Sequence, residues 1–123
     1  MANKVQLMRI KNKATGLKTI PTLNRVYFNI TYSKDQQEKT LPVFVSNQWT
    51  IGRAIDAIAQ EMKLQNNNNK MNEKKLRLFK QDDKEIIYKD VSAKLDSLLN
   101  NDIIVNGESL IIEYVNNDCV KLV

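Results

Sequence analysis

The chain has no histidine and a single cysteine among its 123 residues. Structural zinc sites are built from Cys and His ligands, so none can be assembled within this chain, and no internal disulfide can form. The same gap removes the usual general base and the Ser-His or Cys-His nucleophile pairs. Cys119 stands beside Asp118, whose charge would raise a thiol pKa, so it reads as an incidental thiol. A non-catalytic chain that holds no cofactor of its own is expected.

Long apolar runs are also missing, since none approaches the roughly 20 residues that a membrane span needs. Met1 to Lys13 interleaves Val5, Leu7, Met8 and Ile10 with Lys4, Arg9 and Lys11, which is unlike a secretory leader. A soluble cytoplasmic or nuclear protein is expected. Acidic residues are absent from positions 1–25, where Lys4, Arg9, Lys11, Lys13, Lys18 and Arg25 carry six positive charges. Of the net +5, this leaves 13 basic and 14 acidic residues for a nearly neutral body. A basic tail of this kind is the electrostatic footprint of a nucleic-acid-associated module, which is the alternative reading here. The tail has no aromatic residue on which bases could stack, so a linker resting on the fold is favoured and nucleic acid is not the expected partner.

What is present is a globular balance of 42% apolar and 27% charged residues, enough for one domain. Val5 and Met8 recur at helical spacing, and Gly16 and Pro21 break the chain beyond them, so residues 1–24 read as a basic linker or a packed N-terminal extension. From Arg25 the pattern alternates strictly, with Val26, Phe28, Ile30 and Tyr32 on one face and Tyr27, Asn29 and Thr31 on the other. The polar segment Ser33 to Lys39 reads as a turn, after which Leu41, Val43 and Val45 resume the alternation against Pro42 and Phe44. Thr50 is a candidate N-cap for a helix ending near Leu64, with Ile51, Ala54, Ile55, Ile58, Ala59 and Met62 on its buried face. Asn66 to Asn69 form a polar loop. Lys75 to Phe79 and Ile86 to Tyr88 read as another hairpin, and Asp90 to Val105 as a helical turn and a loop. Leu110, Ile112 and Tyr114 mark a last strand, apolar enough to lie at the centre of the sheet. The order predicts an α+β fold, a mixed sheet with one long helix on one face, spanning 25–115 and followed by a tail at 116–123.

Local strings point further. Leu76-Arg77-Leu78-Phe79 resembles the third strand of ubiquitin, and Gly107-Glu108-Ser109-Leu110-Ile111-Ile112 its last turn and strand. Leu7-Met8-Arg9-Ile10-Lys11, Arg25-Val26-Tyr27-Phe28 and above all Trp49-Thr50-Ile51-Gly52-Arg53-Ala54-Ile55-Asp56 resemble the C-terminal ubiquitin-like region of the AN1-type zinc-finger proteins of the stress response. The resemblance implies a ubiquitin-like β-grasp domain in a ββαββ-loop-β order, without the zinc-binding fingers that such proteins carry. It also implies docking onto the valosin-containing AAA ATPase, the proteasome or both, in protein quality control. The chain ends Cys119-Val120-Lys121-Leu122-Val123 and lacks the Gly-Gly of a conjugated modifier, so a monomeric, non-conjugated docking module is expected.

Ubiquitin's partners use the sheet face opposite the helix. Carried over by alternation, that face presents Arg77, Ile111 and Glu113, with Arg77 as the expected anchor because its planar fork pairs carboxylates. Ubiquitin-related domains that bind the ATPase use a Phe-Pro-Arg loop after the third strand; here Phe79-Lys80-Gln81-Asp82 stands in that place, so Phe79 and Lys80 join the expected protein-binding set. Trp49 is expected to pack between helix and sheet.

Overall fold

The computed structural model describes residues 4–71 and 73–122; residues 1–3 and Val123, the outer ends of the two expected extensions, lie outside it. Strands β1 (Arg25–Lys34) and β2 (Gln37–Ser46) pair antiparallel from Arg25 opposite Ser46 to Lys34 opposite Gln37. The connection is only Asp35 and Gln36, both at positive φ (54° and 63°), the backbone that lets a two-residue hairpin match the strand twist. The longer turn expected over Ser33 to Lys39 is therefore corrected. Exposed polar residues continue the ladder beyond the end of the core, where hydrophobic alternation no longer marks it.

Helix α2 (Ile51–Met62) follows, with Ile51, Ala54, Ile55, Ile58, Ala59 and Met62 buried as the spacing predicts. Its start is well satisfied. Thr50 Oγ1 accepts the Arg53 N–H at 3.2 Å, while the Ile51 and Gly52 N–H groups donate to the carbonyls of Ala93 and Val91, both at 2.9 Å. These bonds serve donors that no helical turn can reach. At the other end Lys63 turns left-handed at φ 56°, and Lys34 Nζ donates to the carbonyls of Met62 and Lys63 at 3.3 and 3.2 Å. Thr50→Ala should cost about 1 kcal/mol of stability, the usual value of an N-cap, measurable as a lower urea midpoint with unchanged slope.

Strand β3 (Lys75–Lys80) pairs antiparallel with β4 (Glu108–Val115), and β4 runs parallel to β1, giving the order β2-β1-β4-β3. The last strand is thus central, as its apolar content predicts. A short helix, α3 (Leu95–Asn100), buries Leu95 and Leu98 between β3 and β4 in the chain. With α2 lying on Phe28, Ile30, Val43, Val45, Leu76, Leu78, Leu110 and Ile112, the architecture is an α+β β-grasp.

The expected hairpin partner at Ile86 to Tyr88 is not a strand. It makes a single bridge, Phe79 to Ile86, with Lys80 N–H donating to Glu85 O (2.8 Å) and Ile87 N–H to Leu78 O (3.1 Å). Three apolar residues are too few to extend a ladder before the chain bends into the 88–94 loop.

The N-terminal segment is built onto the sheet. Helix α1 (Lys4–Lys13) buries Ile10 in a second cluster with Ile20, Tyr27 and Phe44, on the sheet face opposite α2. The Tyr27 and Phe44 rings lie 5.8 Å apart at 53°, a tilted arrangement favoured by ring quadrupoles. Gln6 Nε2 donates to Gly107 O and Ser109 Oγ at 3.1 and 3.3 Å, which ties α1 to the start of β4. Arg25 stacks 4.3 Å over Phe44 while donating to the Ile20 and Lys18 carbonyls. Trp49 packs against both clusters, with the Arg53 guanidinium 4.6 Å over its ring.

Candidate functional site: the sheet face opposite the long helix

Strand parity places Arg77 and Phe79 of β3, Ile111 and Glu113 of β4, and Asn29 and Thr31 of β1 on the side away from α2. Arg77 sits opposite Glu113, Phe79 opposite Ile111, and Ile111 beside Thr31. Arg77, Ile111 and Glu113 are each half-buried, so the face brings together these three residues of the expected set.

Phe79 and Lys80 stand differently. Phe79 is fully buried at 0% exposure. Phe79 bridges Ile86, and the segment around Ile86 is in turn bonded to the C-terminal segment. Odd residues of 85–87 bond β3, whereas Lys84 O accepts from the Leu122 N–H (2.9 Å) and the Ile86 N–H donates to Val120 O (2.8 Å), so residues 120–122 lie beyond this segment on the side away from β3. Beyond Val115 the chain passes the β3 edge, where Asn117 Oδ1 accepts from Arg77 Nη2. Phe79 thus presents no exposed surface to a partner in this arrangement. Lys80 pairs with Leu110, a residue of the α2-side core, and its Nζ lies 3.6 Å from Glu108 Oε2. It stands at the end of β3 on the α2 side and does not share the outward face with Arg77, Ile111 and Glu113.

The outward face is therefore partitioned. Helix α1 occupies one end over Tyr27 and Phe44, Arg77 reaches Asn117 at the β3 edge, and Asn29, Thr31, Ile111 and Glu113 form a half-buried strip between them. Thr31 and Thr40 meet through their hydroxyls at 3.2 Å across the hairpin. This strip has one apolar side chain, Ile111, and one carboxylate, Glu113, whose Oε1 accepts from the Tyr114 N–H at 3.2 Å.

Arg77 and Glu113 are cross-strand neighbours without an ion pair; among the described residues the salt bridge found is Lys80 to Glu108. The Arg77 guanidinium turns instead to the β3 edge, where Nη1 donates to Leu76 O at 2.9 Å and Nη2 to Asn117 Oδ1 at 3.0 Å. Burial pushes its pKa down from the ordinary arginine value, the direction expected of a cation removed from water. Nearby, the Asn-rich loop has a structural task that composition did not reveal. Asn68 Oδ1 accepts the Leu76 N–H at 2.6 Å and its Nδ2 donates to Leu76 O at 3.3 Å, so one side-chain amide imitates a neighbouring strand and closes the β3 edge. Tyr114 donates to Gln65 O at 2.6 Å and fixes the start of that loop; burial raises its phenol pKa, the bond to Gln65 lowers it, and the Glu113 charge raises it.

A family model described as the ZFAND1-like ubiquitin-like domain matches residues 44–116. The chain belongs to this family. It is also similar to AN1-type zinc finger protein 1 of Homo sapiens, 37% identical over 117 residues that cover 95% of this chain and 44% of that protein. The Mus musculus protein of the same name is 34% identical over the same shares. The chain thus spans less than half the length of the curated relatives it matches. The zinc in their name finds no fitting ligands here: one cysteine and no histidine cannot supply a Cys/His set, and among the described residues no group of three His, Cys, Asp or Glu is placed to hold a metal. Ubiquitin-like domains are generally non-catalytic and generally mediate protein interactions.

Proposed function

We propose that this ubiquitin-like domain is a non-conjugated docking module that links an AN1-type zinc-finger protein to the valosin-containing AAA ATPase, the proteasome or both, in stress-response protein quality control. The supporting observation is similarity to AN1-type zinc finger protein 1 across 95% of the chain. Its binding surface in this reading is the strip of Thr31, Ile111 and Glu113 with Arg77 at its margin, and it works in the cytoplasm or nucleus without a cofactor of its own. Since the strip offers one apolar side chain among polar ones, docking would rely on polar complementarity more than on an apolar patch.

Adding the ATPase's N-terminal domain to the isotope-labelled chain should shift the amides of Thr31, Ile111, Glu113 and Arg77 while leaving those of α1 in place. A parallel titration uses the proteasome's ubiquitin-receptor subunits. Unshifted spectra at high concentrations of both partners would sink the direct-docking reading.

A further inference from the structure

Arg77 is a half-buried cation whose two hydrogen bonds go to neutral oxygens. No carboxylate among the described residues lies within ion-pairing distance of it, although Glu113 is its register partner. A guanidinium has five N–H donors and is held most strongly by a carboxylate, so Arg77, with two bonds to neutral oxygens, retains donors for an anion. It lines a cavity of about 390 Å³ together with Gly52 and Asp56 of α2, Val91, and Asn66, Asn68 and Asn69 of the polar loop. Two of the three amides are already engaged. Asn68 holds Leu76, and Asn66 donates to Asp56 Oδ1 at 2.6 Å while accepting the Asn68 N–H at 3.0 Å. The Asn69 side chain makes no hydrogen bond among the described residues and supplies a second donor at the cavity wall.

We propose that this cavity, between the Asn-rich loop and the first half of α2, receives the carboxylate of an acidic side chain from a protein partner, paired by Arg77 and assisted by Asn69. The inference rests on the docking reading and adds what is recognised and where. It moves the anchor from the open sheet face to the β3 edge. Asp56 lowers the affinity for any anion held by Arg77. Arg77 attracts and Asp56 repels any anion in proportion to its charge, so a carboxylate is favoured over phosphate by the apolar side that only its methylenes can cover. Val91 and Gly52 leave an apolar side of the cavity for the methylenes of a glutamate.

The test uses the 123-residue chain and its own reporter, the Nε–H resonance of Arg77, with those of Arg9, Arg25 and Arg53 as internal references. The probe is the acetylated and amidated tetrapeptide Gly-Leu-Glu-Gly, compared with its glutamine counterpart and with inorganic phosphate at matched ionic strength. The Arg77 resonance should shift saturably with the glutamate peptide and not with the other two. Asp56→Asn, which keeps the oxygen that accepts from Asn66 but removes the repelling charge, should tighten the glutamate peptide about twofold. Arg77→Lys should weaken it by retaining charge without the planar fork. Equal shifts for the glutamine peptide or phosphate, shifts shared by Arg9 and Arg53, or no effect of Asp56→Asn would overturn the proposal. Because the probe is synthetic, its failure leaves the ATPase and proteasome reading untouched; conversely, a specific Arg77 shift with silent partner titrations removes that reading and keeps the pocket.

Discussion

Phe79→Ala should lower the unfolding free energy by about 3–5 kcal/mol, a large part of the about 5–15 kcal/mol that holds a domain of this size together. The ring is fully enclosed, with the Ile86 bridge at its residue. Truncation leaves a cavity that the flanking ladder bonds, Lys80 to Glu85 and Ile87 to Leu78, keep from collapsing fully. A residue whose main work was docking would behave otherwise, losing affinity at unchanged stability. Ile111→Ser is the contrasting substitution: its side chain is half-exposed on the same face, and its replacement should cost only about 1 kcal/mol while weakening any partner held on the strip. Urea unfolding of both variants separates the two roles. A small loss for Phe79→Ala would mean that the ring is not held in a packed environment at this position.

The contrast between Phe79 and Ile111 also shows where sequence reasoning stops. Period-two alternation assigns both side chains to the outward face, and the register bears that out. What alternation does not carry is whether a distant segment lies on that face. Phe79 is fully enclosed and Ile111 half-buried although both have the outward parity, and nothing local to Phe79 announces the difference. The second cluster is a partial exception. Tyr27 and Phe44 are large apolar side chains on the parity that otherwise reads Asn29, Thr31 and Pro42, and α1 supplies their cover through Ile10. Their mismatch with a solvated face is a legible cue that the N-terminal segment packs there. Helix α2 is the most legible element, because its burial depends on spacing alone and its cap on one hydroxyl three residues before a bonded N–H. The Asn-rich loop is the least, since its polar composition fits a loop equally well whether or not Asn68 reaches Leu76, eight residues along the chain.

The attachment of α1 depends on one small residue. A Cβ at Gly16 would lie 2.5 Å from the backbone carbonyl oxygen of Phe44 and 2.9 Å from two carbons of its ring. Neither neighbour is the free end of a flexible chain, so Gly16→Ala should force residues 15–16 away from β2. The two bonds beside it, Thr15 N–H to Pro42 O at 3.1 Å and Phe44 N–H to Thr15 O at 2.9 Å, would then lengthen or break. Overpacking of this kind costs about 1–3 kcal/mol. The loss should be local, because α1, Ile20, Tyr27 and Phe44 form a cluster apart from the core beneath α2. Hydrogen exchange should therefore quicken at Thr15, Phe44 and the amides of α1, while Ile55, Leu78 and Ile112 keep their protection. Uniform loss of protection would show that the two clusters unfold as one unit, and an unchanged pattern would show that Gly16 does not fasten the segment. In the local case Tyr27 and Phe44 become the newly exposed apolar surface, and the polar strip around Ile111 gains the apolar neighbour that α1 now denies it.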